Sequence, residues 1–324
     1  MKFRSTVLRA AAVVALAALF ASCGGESLVA FVPARILVFG DQSSVITADG
    51  RKYTINAVNA DAPDTINCVG NPLWIQVLAT SYGLVFPECL GTSTDPAPAS
   101  RILALAGAMG GGTDDIDFTQ QVTRQLELPA ADGGGIGSND LVAVLFGVND
   151  VVAAFERYEA GATPDEAVAQ AEQAGVAIAT QVNRIANAGG KVIMATVPDV
   201  SLTPYGRSKD ATGFALLSLL TARVNAKLLV TINNNGRQIG LIEINPYLIN
   251  VVANQTAYGY VNARDSACIP LDVLACTTAT LNTNVDGSSA TAFTWLWASP
   301  LQLSPGGHTQ LGNLASSRAH NQPF

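Results

Sequence analysis

The sequence predicts an α/β fold, a three-layer α/β/α sandwich around a central parallel sheet of about five strands. Five short apolar runs, at 35–39, 101–105, 141–146, 191–196 and 238–242, have the length and the content of buried strands. Longer stretches between them repeat apolar residues at i, i+3 and i+4, the spacing of helices with one buried stripe. Strand and helix alternate along the chain, which implies right-handed crossovers and a sheet covered on both faces.

The first element is not part of the sheet. Lys2, Arg4 and Arg9 precede an apolar run at 10–20, and Ala21-Ser22-Cys23-Gly24 follows, the layout of an export signal. The run is too short to cross a hydrocarbon core of about 30 Å. Cys23 resembles the acylated cysteine of a bacterial lipoprotein. The expectation is a signal peptide at 1–22, lipidation at Cys23, a short tether at 23–33 and one domain at 34–318. That places an exported protein in the bacterial cell envelope, on the outer membrane facing the periplasm or the surface, with the lipid as its contact with the membrane.

After the strand at 35–39, the segment 47–71 loses all periodicity, and helices are then predicted at 72–82, 115–126, 164–188 and 212–233. The Gly- and Pro-rich stretches at 91–99 and 130–137 are loops, because the strand pattern resumes at once. A second irregular segment, 261–291, is rich in Thr, Asn, Ser and Gly. Both irregular segments are expected to run over the surface, the second near the carboxyl ends of the strands. Pro305-Gly306-Gly307 opens a last helix, and 319–324 reads as a polar tail carrying His320.

With 324 residues, 49% hydrophobic and 13% charged, the chain can bury a large core. Its formal charge of −7 becomes −10 once the three basic residues of the signal are removed. That balance repels nucleic acid and gives no attraction to anionic membranes. Beyond Cys23 there are four cysteines, Cys68, Cys89, Cys268 and Cys276, an even number that fits two disulfides in an oxidising compartment. Three pairings are open. Cys68 with Cys89 and Cys268 with Cys276 is favoured, since each pair lies within one non-periodic stretch. No phosphate-cradling glycine fingerprint and no metal-ligand spacing is present, so no cofactor is implied.

In an open parallel sheet, ligands bind beyond the carboxyl ends of the strands. Four such junctions read Gly40-Asp41-Gln42-Ser43-Ser44, Ala106-Gly107-Ala108, Gly147-Val148-Asn149-Asp150 and Val197-Pro198-Asp199. Asp41 and Asp150 have a plain reading as caps or turn stabilisers, and Gly107 one as a point of close helix packing.

These junctions, in this order, resemble the blocks of the SGNH, or GDSL, hydrolases, and most closely the branch of autotransporter esterases and secreted lipases. Val38-Phe39-Gly40-Asp41 fits the first block, Gly107 the second and Gly147-Val148-Asn149-Asp150 the third. The stretch 297–308, followed by Leu314-Ala315, fits the closing block. Val197-Pro198-Asp199, Thr203-Pro204-Tyr205-Gly206-Arg207, Asn245-Pro246 and Tyr258-Gly259-Tyr260-Val261-Asn262 resemble the body of that branch, so the similarity spans nearly the whole mature chain. It implies a flavodoxin-like sheet and carboxylic ester hydrolysis by a serine, a histidine and an aspartate.

The same register puts Gln42 at the nucleophile, Ser299 at the acid and Gln302 at the base. An amide cannot exchange a proton near neutral pH. Losing one member of such a triad costs roughly four to six powers of ten in rate. What the resemblance leaves is the oxyanion hole, made of the backbone N–H of Gln42, Gly107 and Asn149. The expectation is a catalytically impaired protein that binds a small acylated or oxyanion-bearing ligand. The alternatives are an active esterase or lipase using Ser43 or Ser44 with His308, and a structural scaffold of the envelope. His308 matches the family's second histidine, which is not its base, and a packing role in the first turn of the last helix is its plain reading.

Overall fold

The computed structural model describes residues 30–90, 99–233, 236–269, 272–283, 287 and 289–324. The expected signal peptide, Cys23 and tether residues 23–29 lie outside the described residues. Val32–Gln322 forms one compact unit.

Nine strands are described: β1 (Arg35–Gly40), β2 (Ala57–Asn59), β3 (Ala62–Asn67), β4 (Arg101–Ile102), β5 (Asp140–Leu145), β6 (Lys191–Ala195), β7 (Ile239–Ile242), β8 (Asn262–Ser266) and β9 (Trp295–Trp297). Five make the main sheet in the order β4-β1-β5-β6-β7, every pair parallel. The order reverses at β1, so β1 and β5 flank the switch point where such sheets bind ligands. Gly40 lies opposite Leu145 there. All five strands coincide with the apolar runs. β4 is shorter than its run, although Leu103 and Leu105 still donate to the carbonyls of Val38 and Gly40.

The α-helices are α1 (Trp74–Thr80), α2 (Phe118–Glu127), α3 (Val148–Glu159), α4 (Pro164–Asn187), α5 (Pro204–Arg207), α6 (Ala211–Thr231), α7 (Ile244–Ala253) and α8 (Pro305–Asn321). Their starts follow local chemistry. Thr163 and Glu166 form a capping box with Pro164 in the first turn of α4, Asp210 caps α6 through Gly213 N–H, and Ser304 caps α8 through Gly307 N–H. One face of the sheet, with Leu37, Phe39, Val144, Phe146 and Met194, is buried under Phe118, Val151, Ile178, Leu217 and Val224 of α2, α3, α4 and α6. Ile36 and Val38 point the other way by the strand's alternation and are fully buried. α1 and α8 pack together, and α8 packs on β6 and β7.

Three expectations change. The segment 47–71 is not a surface excursion throughout. Lys52, Thr54, Ile55 and Asn56 are fully buried, and the antiparallel pair β2–β3 follows them. The segment 261–291 likewise contributes to a second core, in which Cys268, Cys276, Ala267 and Ala290 pack with Ile55 and Trp295. The apolar side chains there are too sparse and irregular to register as a period. Residues 319–321 are not a tail but the last turn of α8, where Ala319 is buried and His320 stacks on Tyr82 with ring centroids 4.3 Å apart. Gln322 donates to Gly236 O.

Both disulfides are formed, Cys68 to Cys89 and Cys268 to Cys276, the favoured pairing. Disulfides of this kind persist in oxidising compartments, in keeping with export. The first brackets α1. Beside it, the buried Lys52 ammonium donates to the carbonyls of Cys68, Gly70 and Asn71 at 2.9, 2.6 and 2.9 Å.

Candidate functional site

Beyond β1 the chain turns tightly. Asp41 is extended and its Oδ1 accepts the N–H of Ser43 at 2.8 Å, which winds Gln42–Ser44 into one turn of 3-10 helix. A side chain on Gly40 would reach 2.9 Å from Ser44 Oγ and 3.0 Å from Leu145 O, so the position suits glycine. Gln121 of α2 clamps the same residue, accepting from Gly40 N–H at 3.2 Å and donating to Gly40 O at 3.0 Å. Burial pushes the Asp41 carboxyl up to about 6, with Asp150 adding to the shift and the hydrogen bonds from Ser43 opposing it.

At the end of β5, Gly147 has φ +111°, and a side chain there would meet Val197 Cγ2 at 2.3 Å. This left-handed turn starts α3 and sets Asn149 and Asp150 in its first turn. The Asp150 carboxylate accepts the N–H groups of Gly110 and Gly111, each at 2.8 Å. Asp117 accepts those of Met109 and Asp114 at 2.7 and 2.8 Å. Two carboxylates thus fix the loop that follows Gly107. The plain reading of Asp41 and Asp150 as turn stabilisers describes what both do.

Gly107 itself has φ +82°, and a side chain there would find only Ile116 Cδ1, at 3.7 Å. Close helix packing therefore does not explain it. Its N–H instead donates to Gln42 Oε1 at 3.1 Å. Asn149 Nδ2 donates to the same oxygen at 3.0 Å and to Ala108 O at 2.8 Å, while Gln42 Nε2 donates back to Asn149 Oδ1 at 2.9 Å. The structure brings Gln42, Gly107 and Asn149 together. The oxygen that the two outer donors hold belongs to the Gln42 side chain, at the 2.7–3.1 Å range that suits a developing oxyanion. Gln42 is 8% exposed.

After β9, the Ser299 hydroxyl donates to Gln302 Oε1, and Gln302 N–H returns a bond to Ser299 Oγ at 3.3 Å. Tyr205 N–H holds the turn through Pro300 O at 3.0 Å. A hydroxyl and an amide thus pair with each other, and neither titrates near neutral pH. Among the described residues, no hydrogen bond joins this pair to Gln42.

The alternative nucleophiles do not meet their base. Ser44 is buried and its Oγ accepts the indole N–H of Trp74 at 3.0 Å. His308 is also buried, and among the described residues neither of its ring nitrogens has a hydrogen-bond partner, so it contacts neither Ser43 nor Ser44 in that way. Burial pushes its pKa down to about 3, and the nearby Lys52 charge adds to the shift. It is a neutral core side chain. Among the described residues, no cluster of three or more His, Cys, Asp or Glu is placed to hold a metal ion.

Sequence reasoning missed Gln121, Trp74 and Asp117. Gln121 and Trp74 lie 81 and 30 residues from the groups they hold, and Asp117 acts on the backbone of an aperiodic loop, so none of the three leaves a recognisable pattern.

No protein-family model and no curated protein sequence matches the chain. Among solved structures, it is similar to the lipase Lip_vut3 from a goat rumen metagenome, with 10% identity over 90% of this chain and 99% of that one, at a TM-score of 0.49. It is similar to Est24, a carbohydrate acetylesterase from Sinorhizobium meliloti, with 14% identity, 87% and 96% coverage and a TM-score of 0.39. The acetylxylan esterase Axe2 from Geobacillus stearothermophilus gives 13%, 91% and 98%, and 0.40. The chain itself folds as an α/β/α sandwich around a parallel sheet of five strands, the fold class its sequence predicts.

Proposed function

We propose that the protein is an exported, lipid-anchored relative of the SGNH esterases that does not hydrolyse esters and serves the cell envelope as a folded scaffold. The observation that carries this reading is the position of Gln42 Oε1, which accepts from both Gly107 N–H and Asn149 Nδ2. One residue removes the nucleophile and also occupies the place of a substrate's carbonyl oxygen. Ser299 and Gln302 supply neither an acid nor a base for proton transfer.

A small acylated or oxyanion-bearing ligand at this site would have to displace Gln42 Oε1 and would gain back the same two donors. Its net gain there is small. Cavities of about 230 to 440 Å3 elsewhere on the protein are lined by other residues. The packed state of the site therefore favours the scaffold over ligand capture.

The test is incubation of the purified protein with a fluorophosphonate probe and a short-chain nitrophenyl ester. No labelling and no hydrolysis above blank are expected. Labelling that is lost in Ser43→Ala, together with ester turnover, would overturn the reading. The triple variant Gln42→Ser, Ser299→Asp, Gln302→His is the companion. Turnover appearing only when all three are present shows that the donors of the hole remain in place.

A further inference from the structure

β7 is an edge strand of the main sheet, and among the described strands it pairs with β6 alone. Gln238 O and Ile242 O accept from Val192 and Thr196 N–H at 2.8 and 2.9 Å. By the alternation of a parallel ladder, Ile239 and Leu241 turn their own N–H and C=O groups away from β6. Among the described residues these four groups have no hydrogen-bond partner. Such an edge is a template for one more strand. The opposite edge, β4, has only two residues to offer.

Two cavities lie along the β7 edge, of about 430 and 310 Å3, and Leu241, Glu243 and Arg318 line both. The larger is otherwise apolar, closed by Leu229, Ile232 and Ile239, and the smaller opens against α8. Ile239 and Leu241 belong to the core under α6, so Gly240 and Ile242 face α8. A side chain on Gly240 would meet Arg318 Cγ at 3.2 Å and Nε at 3.5 Å, which lays the arginine over the one position of β7 that lacks a side chain. Arg318 and Glu243 are exposed, and among the described residues neither forms a hydrogen bond or an ion pair through its side chain. One unpaired charge of each sign thus borders the open edge.

We propose that the outer edge of β7 takes up an extended peptide segment of a partner protein as a sixth strand, with apolar residues opposite Ile239 and Leu241, an acidic residue opposite Gly240 and a basic residue opposite Ile242. The segment's backbone bonds to the outward groups of Ile239 and Leu241. Its apolar side chains pack towards Leu229 and Ile232, its carboxylate meets Arg318, and its cation reaches Glu243 in the smaller cavity. In strand addition the main chain supplies affinity and the alternating side chains supply selectivity. None of these residues belongs to the Gln42 site, so the proposal stands or falls separately from the scaffold reading.

Fluorescence anisotropy with the purified protein and two labelled hexapeptides tests it. Fluorescein-Ser-Val-Glu-Val-Lys-Ser-amide suits a parallel sixth strand, and the reversed sequence suits an antiparallel one. One of the two should saturate, with a dissociation constant of about 10 to 300 micromolar. Arg318→Ala should weaken that peptide by about tenfold or more without lowering the melting temperature. Arg318→Glu with Glu243→Arg should bind the same peptide with its Glu and Lys exchanged better than it binds the original. N-methylation of the four central amides keeps the side chains, removes the donors and should abolish binding. No saturation by either peptide at about 1 mM, unchanged affinity in Arg318→Ala, no preference for the exchanged peptide in the double variant, or equal binding of the N-methylated peptide would overturn the proposal.

Discussion

Gln42 and Asn149 face each other across the gap between the ends of β1 and β5 and exchange two hydrogen bonds, each amide nitrogen donating to the other's oxygen at 2.9 and 3.0 Å. Gly107 N–H can only donate, which fixes the Gln42 oxygen, and Ala108 O can only accept, which fixes the Asn149 nitrogen. The pair is neutral throughout. The hydrogen bonds around Gln42 Oε1 are made without burying a charge, so no salt or pH change within the folded range should break them.

Replacing Gln42 by leucine keeps the bulk and removes the acceptor. Gly107 is exposed and Asn149 half-buried, so water takes up part of what they lose, and the cost is about 0.5–1.5 kcal/mol for each group. Gln42→Leu should lower unfolding stability by about 1–3 kcal/mol in urea. Gln42→Ser, which leaves room for water, should cost less than half as much. Equal losses would mean that the amide is not the group the donors hold.

Ser44 is read as structural because its hydroxyl accepts the Trp74 indole N–H. Ser44→Ala orphans that donor in the core and should cost about 1–2 kcal/mol of stability. Any residual ester turnover should be unchanged. A variant that folds as well as the native chain and loses turnover would make Ser44 a nucleophile.

His308 and Asp41 should pull stability in opposite directions as pH changes. The folded protein holds the His308 pKa near 3, below the ordinary 6.5, so its contribution is present above 6.5 and is lost as pH falls toward 3, by about 1.4 kcal/mol per unit. Asp41 is raised to about 6 from 3.8, so its contribution is present below 3.8 and is lost as pH rises through 6. His308→Leu should therefore gain stability on going from pH 6.5 to 4.5, and Asp41→Asn should lose more than the native chain over the same interval. Urea midpoints at the two pH values read both signs.

The two disulfides close loops of different length, with separations of 21 and 8 residues. Chain entropy assigns about 3 kcal/mol to the first and about 2.5 kcal/mol to the second. Removing Cys68 and Cys89 as a pair of alanines should cost more than removing Cys268 and Cys276. The opposite ranking would show that Cys268 and Cys276 matter through their place in the second core.

The sheet was legible because each of its strands lies in a short apolar run. α3 was not set out as a helix, since Val148 follows the strand end at Gly147 with no polar gap and the short motif masks the period. α7 was lost for a similar reason, beginning at Ile244 directly after β7. Gln42, Gly107 and Asn149 were legible as neighbours only through the family resemblance. That the Gln42 side chain would reach both Gly107 and Asn149 was not, because it depends on side-chain length against a gap set by distant groups. Lys52 lies in a segment that reads as surface, and its burial comes from three carbonyls that no pattern announces.

The carboxylates of Asp150 and Asp117 hold the loop after Gly107 with four backbone bonds, none of which needs a guest molecule. Drift that spares folding will therefore spare these donors as well. In a loop held this way, the geometry of the oxygen cradle answers to folding and would persist whether or not a reaction made use of it.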